Sequence, residues 1–392
     1  MKILNMHTQG GAIGYYRHWM PAKAMKDAGY DVTYYRGELD FFHDVKRITG
    51  SNPEDWLFKH GGEYDIVHMG YSNVQQHTTL AVALRNHALV NYEKELPIIT
   101  DIDDDPINVP SYNTAFRSYT GQSDRRKNLL IQLRASDAIT CTTPTIPEVL
   151  RDEGRNFSVL PNYCEPNDWD HFQVRPERDD DKAVYIAYAG GPAHLGDLEQ
   201  LSEVGPRLTA KYDGKEGRPL LRWIFVGFAP PWAEEMYPDK KDPANNRAFF
   251  IQPCQLETFH RSLRWMSPDI MIAPVEQNVF NESKSLLKAY DAVTANAAFV
   301  CQDWATYADV PESAAFKVRG DVQWQETLEG LIENPDIREK RAKALREWVL
   351  DERRISDHII EWIDVYEAAM SRPVVKELSD IIRPRIIRPD EI

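Results

Sequence analysis

The residues best suited to binding an anion lie between positions 274 and 285. An apolar stretch predicts a strand that ends at Pro274, a polar loop follows, and a helix is predicted to begin near Ser283. Ser283, Lys284 and Ser285 would then lie at a helix N-terminus, where unpaired backbone N–H groups and the helix dipole favour anions. The lysine adds a full positive charge. This combination predicts a binding site for a diphosphate group.

Two further polar residues continue along the same helix. Lys288 follows Lys284 by one turn and Asp291 follows it by two, so all three side chains share one face. We expect Lys288 to help hold the diphosphate and Asp291 to accept hydrogen bonds from ribose hydroxyls. The competing interpretation is a solvated helix face with an ordinary cap.

A loop of small residues follows the first predicted strand. Gly10 and Gly11 lie there, and glycine lets backbone N–H groups approach a phosphate closely. The spacing is not that of a dinucleotide-binding loop, and a tight turn that needs small residues is the alternative. Tyr16 and Arg17 lie in the first turns of the following helix. An arginine in that position suits an anionic ligand, so both are candidate acceptor-side residues.

A matching loop opens the second half of the chain. Gly190 and Gly191 follow a predicted strand and precede a helix, so they also permit close approach to a ligand. His194 is a candidate hydrogen-bond donor to a phosphate. The alternative interpretation is a histidine that caps the helix together with Asp197.

An acidic run, residues 101–105, closes the strand predicted at 97–102. Asp101 or Asp103 could orient a reacting hydroxyl or a sugar, and Asp104 is a candidate on the acceptor side. Such a cluster could also hold Mg²⁺ or Mn²⁺, which we do not expect, or could serve only in capping and loop hydrogen bonds. His68, at the end of the preceding strand, is a further acceptor-side candidate, with a satisfied core histidine as the alternative.

The same periodicity predicts the elements that position these residues. Strands separated by helices argue for a parallel, doubly wound sheet in each half of the chain. In the first half, strands are predicted at 2–7, 31–35, 64–69, 97–102, 138–142 and 157–160. In the second half they are predicted at 183–189, 221–227, 248–252, 269–274 and 297–302, with helices at 198–211, 256–266, 283–294 and from 324 to 370.

The domain organisation follows from this pattern. A charged, proline-containing segment at 175–182 predicts a linker between a domain at 1–174 and a domain at 183–355. We expect the carboxyl ends of the two sheets to face a common cleft, where such folds bind ligands. The helix at 356–370 is amphipathic enough to cross back to the first domain, and 371–392 should be a loosely packed tail.

Composition narrows the function classes. The chain has 46 Lys and Arg against 61 Asp and Glu, a net charge of −15, which disfavours nonspecific nucleic-acid binding. It has no apolar run of membrane-spanning length and no apolar leader at its start, so we expect a cytoplasmic location and no membrane partner. The four cysteines are widely spaced, which favours buried thiols over a zinc site or disulfides.

Several of these motifs together resemble a known family. The run Phe280-Asn281-Glu282-Ser283-Lys284-Ser285 with Lys288 and Asp291 is similar to the donor-binding motif of retaining glycosyltransferases of the glycogen-synthase-related group (family 4-like), in a subgroup common in bacteria and phages. Further matches are Gly14-Tyr15-Tyr16-Arg17, the acidic run at 101–105, Leu160-Pro161-Asn162, and Gly190-Gly191-Pro192-Ala193-His194.

The resemblance implies a GT-B fold, a nucleotide-sugar donor such as a UDP- or GDP-sugar, retention of configuration and no required metal or other cofactor. It implies that Lys284, helped by His194 and the Gly10-Gly11 loop, stabilises the diphosphate, and that the first domain takes the acceptor and the second the donor. Two positions depart from the family, where two glutamates are eight residues apart. Asp291 replaces one and Ser283 the other, which removes a carboxylate.

The sequence leaves the reaction class and the acceptor open. A sugar-nucleotide epimerase or hydrolase, or a noncatalytic sugar-nucleotide-binding protein, would share the same donor-binding residues. The acceptor needs a hydroxyl group and could be a saccharide or a hydroxymethylated pyrimidine in phage DNA. The net acidity disfavours DNA unless basic residues gather near the site, with Arg117, Arg125, Arg126 and Lys127 as candidates.

Overall fold

The described part of the chain forms two compact units. The computed structural model describes residues 1–34, 41–72, 74–113, 115–121, 123–174, 183–234, 236, 246–252 and 256–375. The first unit comprises Met1–Pro106, Ser118–Pro161 and residues 359–375, and the second comprises Ile107–Arg117 and Asn162–His358. The predicted linker at 175–182 and residues 376–392 of the predicted tail lie outside the described residues.

A six-stranded parallel sheet forms the centre of the first unit, in the order β2-β1-β3-β4-β5-β6. Its strands are β1 Lys2–Met6, β2 Asp31–Thr33, β3 Ile66–Gly70, β4 Ile98–Ile102, β5 Ala138–Cys141 and β6 Phe157–Val159. The central strands β3 and β4 are buried along their whole length, as is typical of parallel strands covered on both faces.

The second unit has its own six-stranded parallel sheet, in the order β12-β11-β10-β7-β8-β9. Its strands are β7 Ala183–Ala189, β8 Leu220–Val226, β9 Ala248–Ile251, β10 Ile270–Ala273, β11 Ala298–Gln302 and β12 Ala315–Val318. All seven residues of β7 are buried. In both units, therefore, the central strands are largely apolar and buried, although β3 and β4 also carry the buried polar residues His68 and Asp101.

Helices connect the strands in both units. Up to β6 they are α1 Gly11–Ile13, α2 Met20–Asp27, α3 Phe41–Thr49, α4 Pro53–His60, α5 Gln75–Tyr92, α6 Phe116–Tyr119, α7 Asp124–Ala135 and α8 Thr145–Leu150. A π-helical turn, Gly14–Trp19, joins α1 to α2. The remaining helices are α9 Leu195–Glu199, α10 Val204–Lys211, α11 Pro231–Glu234, α12 Leu256–Met266, α13 Val279–Glu282, α14 Leu287–Ala295, α15 Gly320–Glu333, α16 Pro335–Glu352 and α17 Ile355–Met370.

Local sequence explains where several helices begin. Asn52 caps α4, because its side-chain oxygen accepts a hydrogen bond of 2.8 Å from the backbone N–H of Glu54. Pro53 occupies the first helical position, where its missing N–H is not needed. Ser123 caps α7 in the same way through the N–H of Arg126. Asparagine or serine followed by helix-forming residues therefore fixes these helix starts.

Each sheet packs into a separate apolar core. The core of the first unit joins side chains of β1, β3 and β4 to those of α3, α4 and α5, among them Leu4, Met69, Phe41, Leu57 and Leu84. The core of the second unit is rich in aromatic residues and includes Tyr188, Trp223, Phe225 and Trp324. Burial of these large side chains supplies the main driving force for each fold.

The predicted fold class is confirmed. Both halves are doubly wound α/β units with parallel sheets, and all eleven predicted strands are present within two residues of their predicted ends. The last helix, α17, begins in the second unit and from Ile359 onward belongs to the first, as the predicted return helix requires. The sequence patterns missed β12, α3 and α4, and the predicted helix at 198–211 is divided into α9 and α10.

The cysteines that the structure describes are buried thiols, as their spacing in the sequence favours. Cys141, Cys164 and Cys301 are buried free thiols, and Cys254 lies outside the described residues. Within the described ranges, no helix combines the length and the apolar character needed to cross a lipid bilayer.

Candidate functional site

The sheet of the second unit has a topological switch point between β7 and β10. The chain runs from β7 to β8 and β9 on one side, then crosses to β10, β11 and β12 on the other. Open α/β sheets bind ligands at the carboxyl ends of the strands where the order reverses. The loops that follow β7 and β10 are therefore the best candidates for a site, and they carry most of the sequence-predicted residues.

The turn after β7 combines one crowded and one open glycine. A Cβ atom at Gly190 would lie 2.7 Å from the hydroxyl of Tyr188, and a Cβ at Gly227 (φ +91°) would lie 2.7 Å from the carbonyl oxygen of Gly190. A Cβ at Gly191 would meet nothing within 4 Å. Packing therefore requires glycine at position 190, while the open space beside Gly191 leaves room for a ligand close to the backbone.

His194 and Asp197 form a hydrogen-bonded pair at the start of α9. Nδ1 of His194 lies 2.6 Å from Oδ2 of Asp197. Burial, together with the charges of Lys288 and Lys284, lowers the pKa of His194 to about 4, although the bond to Asp197 opposes this shift. Since a carboxylate can only accept, the neutral imidazole carries its proton on Nδ1 and presents Nε2 as an acceptor. Donation from Nε2 to a phosphate would require the protonated ring.

Asp197 also joins the loop after β7 to the loop after β10. Its Oδ1 accepts hydrogen bonds from the backbone N–H of Glu276 (2.8 Å) and from Nδ2 of Asn281 (3.0 Å). Nδ2 of Asn281 also donates to the carbonyl oxygen of Glu276 at 2.9 Å, and Thr306 donates to the carbonyl oxygen of Asn281 at 2.7 Å. This network fixes the backbone of the β10 loop at residue 276.

The helix predicted to begin near Ser283 begins at Leu287 instead. Asn278 caps the short helix α13 by accepting from the backbone N–H of Asn281 at 2.9 Å. Ser283 follows the end of α13, is fully buried, and donates its hydroxyl proton to the carbonyl oxygen of Phe280 at 2.7 Å. The predicted helix start is therefore wrong, because the capping asparagine creates a separate helical turn ahead of α14.

The segment before α14 is anchored by Asn162. Nδ2 of Asn162 donates to the hydroxyl of Ser285 at 2.8 Å, and its carbonyl oxygen accepts from the hydroxyl of Tyr290 at 2.6 Å. Leu286 precedes the first turn of α14 and offers no side-chain acceptor to the first N–H groups of that helix. An anion at this end of α14 would supply the missing acceptor.

Lys288 lies in the first turn of α14 and reaches back to β7. Its Nζ donates to the carbonyl oxygen of Ala189 at 2.6 Å and lies 4.6 Å from the ring centroid of Tyr188. Burial lowers the pKa of Lys288 to about 8, Asp291 opposes this shift, and Lys284 adds to it. The ammonium group is thus partly dehydrated and held at the carboxyl end of β7, where a diphosphate would benefit from it.

Lys284 brings a second ammonium group to this place. Its Nζ lies 4.6 Å from the ring centroid of Phe280. Its charge lowers the pKa of both His194 and Lys288, which shows that the three side chains lie within electrostatic range of one another. The structure therefore brings together the predicted residues Lys284, Lys288 and His194.

Asp291 lies three residues beyond Lys288 on α14. It is buried, and burial raises its pKa to about 7, while Lys288 lowers it. At neutral pH the carboxyl group is therefore divided between its protonated and ionised forms, and it could donate as well as accept a hydrogen bond.

In the first unit, the glycines after β1 shape the start of a helix. Gly11 has a φ of +68°, a left-handed conformation that favours glycine, and Gly10 is extended. The backbone then enters the π-helical turn Gly14–Trp19, which buries Tyr16 and Arg17. Such turns are often found at functional sites. Here the turn directs the two predicted acceptor-side residues into the protein interior.

Arg17 and Asp101 form an ion pair inside the first unit. Nε and Nη2 of Arg17 donate to the two oxygens of Asp101 at 2.9 and 2.6 Å, and both side chains are 1% exposed. Arg17 also donates to the carbonyl oxygen of Leu160 at 2.6 Å and lies 5.0 Å from the ring centroid of Trp362 of α17. Thr140 donates to Asp101 at 2.6 Å. Although burial opposes it, Arg17 holds the pKa of Asp101 below its usual value.

His68 is fully buried beside this ion pair. Its Nε2 lies 3.3 Å from the hydroxyl of Thr140, and its ring lies 5.1 Å from that of His18 and 5.6 Å from that of Tyr366. Burial lowers the pKa of His68 to about 4. Arg17, Asp101 and His68 are therefore brought together, but in a buried cluster that fixes α17 and the ends of β3 and β4.

Asp103 and Asp104 of the acidic run are more accessible, whereas Asp105 is buried. Asp103 and Asp104 are partly buried beyond the end of β4, and Thr142 donates to the carbonyl oxygen of Asp103 at 2.8 Å. Among the residues that the structure describes, no group of three or more histidine, cysteine, aspartate or glutamate side chains is arranged to hold a metal ion.

Glu276 is a further candidate residue that the sequence analysis did not single out. Its carboxylate oxygen Oε2 accepts hydrogen bonds from the hydroxyl of Tyr112 and from Nδ2 of Asn278. The signal that could have found it is a carboxylate two residues beyond Pro274, at the predicted end of β10. Tyr112 could not have been found in this way, because it lies far away in the sequence.

Several solved structures have folds similar to that of this chain. The chain aligns with sucrose-phosphate synthase from Thermosynechococcus elongatus at 12% identity and a TM-score of 0.59, covering 95% of this chain and 100% of that one. A glycosyltransferase from Rickettsia africae gives 12% identity, a TM-score of 0.55 and coverage of 95% and 99%. HepE from Anabaena, solved in complex with UDP, gives 10% identity, a TM-score of 0.53 and coverage of 94% and 100%.

No protein-family model and no curated protein matches the chain. At these identities the likeness to solved structures establishes the fold. The two doubly wound units with a returning C-terminal helix are the GT-B fold of these glycosyltransferase structures.

Proposed function

We propose that this protein is a glycosyltransferase that moves a sugar from a nucleotide-sugar donor to a hydroxyl group. One observation carries the proposal: Lys284, Lys288 and His194 gather at the carboxyl ends of β7 and β10, beside the open backbone of Gly191. Two ammonium groups at a topological switch point suit a diphosphate. The GT-B fold and the UDP bound to HepE support the same interpretation.

The donor would be held by its diphosphate and its ribose. Lys288 and Lys284 contact the phosphate oxygens, and the first N–H groups of α14 and the backbone at Gly191 complete the contacts. Asp291, farther along α14, pairs with the ribose hydroxyls. At neutral pH its carboxyl group can accept a hydrogen bond from a ribose hydroxyl, or donate one to it. We propose a UDP- or GDP-sugar as donor.

His194 has two possible hydrogen-bonding states at this site. The neutral ring, with its proton on Nδ1 toward Asp197, accepts at Nε2 and suits a sugar hydroxyl. An incoming diphosphate opposes the two lysine charges that keep the ring neutral and raises its pKa. The protonated ring would then donate to a phosphate oxygen, which is the role that the sequence predicted.

Catalysis would come mainly from stabilising the departing diphosphate. As the bond from the anomeric carbon to the phosphate oxygen breaks, negative charge grows on that oxygen, and we propose that the ammonium group of Lys284 offsets this charge. We propose retention, in which the acceptor hydroxyl attacks the face that the diphosphate leaves and gives its proton to the leaving phosphate oxygen. Two lysine charges would offset charge on the diphosphate, and we propose that no metal or other cofactor is required.

The acceptor would bind at the loops of the first unit. Asp103 and Asp104 remain the predicted carboxylates on that side, since they are only partly buried. Four predicted residues have side chains enclosed in the unit: Asp101, Arg17, His68 and Tyr16. We propose that they hold the acceptor-side loops in place and do not contact the acceptor. The acceptor is a molecule with a free hydroxyl group, and a saccharide is the class we propose.

Release of nucleoside diphosphate tests the proposal. The protein is incubated with UDP-glucose, UDP-galactose, UDP-N-acetylglucosamine or GDP-mannose, with and without a mixture of mono- and oligosaccharides, with EDTA present. We expect one donor to yield UDP or GDP only when an acceptor is added, with a product of unchanged anomeric configuration by NMR. Release or isomerisation without any acceptor would indicate an epimerase or hydrolase, and no turnover with any pair would contradict a transferase.

A further inference from the structure

We propose that Glu276, held in place by Tyr112, recognises the hydroxyl groups of the transferred sugar. This inference rests on the proposed function and concerns the same site. A nucleotide sugar carries its sugar on the diphosphate, so groups that recognise it must lie beside the diphosphate contacts. Glu276 fulfils this condition, because its backbone N–H is bonded to Asp197, the partner of His194.

The backbone of Glu276 is held on both sides. Its N–H donates to Asp197 at 2.8 Å, and its carbonyl oxygen accepts from Asn281 at 2.9 Å. Glu276 lies two residues beyond Pro274, just past the end of β10, which is the strand next to β7 at the switch point. A residue fixed in this way presents its side chain in one place, which a specificity contact needs.

The carboxylate is oriented through only one of its oxygens. Tyr112 and Asn278 both donate to Oε2 of Glu276. Among the described residues no hydrogen bond reaches Oε1, and the side chain is only partly buried. A carboxylate offers about four acceptor positions, so Oε1 can take hydrogen bonds from two neighbouring sugar hydroxyls while Oε2 stays anchored.

Tyr112 lies in a short segment that belongs to the same unit as Glu276. Residues Ile107–Arg117 belong to the second unit, although the chain before and after them belongs to the first. Burial and the neighbouring carboxylate of Glu276 raise the pKa of the Tyr112 phenol, so this hydroxyl keeps its proton and remains a donor. The segment thus supplies a fixed anchor to the carboxylate.

Gly196 makes close approach of this pair possible. A Cβ atom at position 196 would lie 2.6 Å from Oε2 of Glu276 and 2.8 Å from the hydroxyl of Tyr112. Any larger residue would push the carboxylate away from its anchor. Ser283 cannot replace it, since its hydroxyl is buried and bonded to Phe280. Glu276, rather than Ser283, is therefore the residue of this loop that we expect to contact the sugar.

Binding of a nucleotide with and without its sugar tests the inference. Dissociation constants are measured by titration calorimetry for UDP, UDP-glucose, GDP and GDP-mannose with wild type, Glu276→Gln and the surface control Glu347→Gln, which lies exposed on α16. Glutamine can still accept from Tyr112 but carries no charge. We expect Glu276→Gln to weaken binding of the nucleotide sugar by about 10- to 100-fold, which is the contribution of hydrogen bonds to a charged group. Binding of the free nucleotide should weaken by less than about twofold, because it lacks the sugar.

A second variant keeps the carboxylate and moves it. Gly196→Ala should cause the same selective loss, whereas Gly330→Ala, where a Cβ meets nothing within 4 Å, should not. Equal weakening of nucleotide and nucleotide sugar by Glu276→Gln, or no weakening of either, would overturn the inference while the proposed function stands. If wild type binds none of the four ligands, the proposed function fails, and this inference with it.

Discussion

The protonation state of Lys288 should control nucleotide affinity in the alkaline range. Its Nζ is bonded to Ala189 at the end of β7, and burial holds its pKa at about 8. The folded protein therefore loses this charge as pH rises through about 8, well below the usual value for lysine. A bound diphosphate favours the ammonium form and raises its pKa, so binding above pH 8 must take up a proton.

The size of the effect follows from the ammonium–phosphate contact. A hydrogen bond to a charged group contributes about 1.5–3 kcal/mol, which corresponds to a pKa rise of about one to two units on binding. The dissociation constant for UDP should thus be nearly constant between pH 7 and 7.5 and increase by about 5- to 30-fold between pH 8 and 10. Lys288→Met should show the weak affinity at every pH, because it removes the charge and keeps the length of the side chain.

Titration calorimetry in two buffers of different ionisation enthalpy measures both affinity and proton uptake. Lys288→Arg is the matched control, since its guanidinium stays charged and leaves only the titration of the ligand itself. We expect proton uptake in wild type beyond that of Lys288→Arg, with a maximum between pH 8 and 10. Equal pH profiles for wild type and Lys288→Arg, or an unchanged profile in Lys288→Met, would refute the placement of the diphosphate at Lys288.

Three further substitutions have defined outcomes. Burial holds the pKa of Asp291 at about 7, above its unfolded value, so ionisation destabilises the fold increasingly as pH rises from about 4 to 7. Asp291→Asn should therefore raise the unfolding free energy in urea more at pH 8 than at pH 5. The increase should stay below about 4 kcal/mol, the equivalent of three pKa units. The same variant should bind UDP more weakly. Asp101→Asn should destabilise the first unit by about 3–5 kcal/mol, because it leaves Arg17 buried without a counter-charge, and equal urea midpoints would contradict this. Gly190→Ala should abolish nucleotide binding with a folded circular dichroism spectrum, since its Cβ would lie 2.7 Å from the Tyr188 hydroxyl, and unchanged binding would contradict the tight turn.

Much of the fold could be predicted because central parallel strands are continuous apolar runs. The run that forms β7 is buried throughout and is followed directly by glycine, so both its type and its end are visible in the sequence. The strand β12 was missed because it is only four residues long and contains a lysine. Short edge strands carry too few residues for a period to be recognised.

The proximity of three candidate donor-side residues could be predicted because they follow strand ends. Lys284, Lys288 and His194 lie in loops or first helical turns directly beyond predicted strands, and parallel strands bring such loops together. The start of α14 was misplaced because Asn278 caps a separate turn that ends at Ser283. Two short helices and one long helix give nearly the same residue pattern.

Contacts between residues far apart in sequence could not be predicted. Arg17 is 84 residues from Asp101, and Tyr112 is 164 residues from Glu276. A single sequence shows that each residue is polar and near a strand end, but not which partner it meets. For this reason Arg17 was expected to face a ligand, whereas the fold encloses it with Asp101.

We have proposed that the second unit binds a nucleotide sugar through Lys284 and Lys288. Thermal unfolding of wild type and of the double variant Lys284→Ala/Lys288→Met, each with UDP-, GDP-, ADP- and dTDP-glucose, tests it most directly. At 100 times the dissociation constant, a ligand stabilises the protein by about 2.7 kcal/mol, or about 5–10 °C in Tm for a unit of this size. We predict such a shift with at least one donor in wild type and none in the double variant. No shift with any donor, or equal shifts in both proteins, would contradict the account.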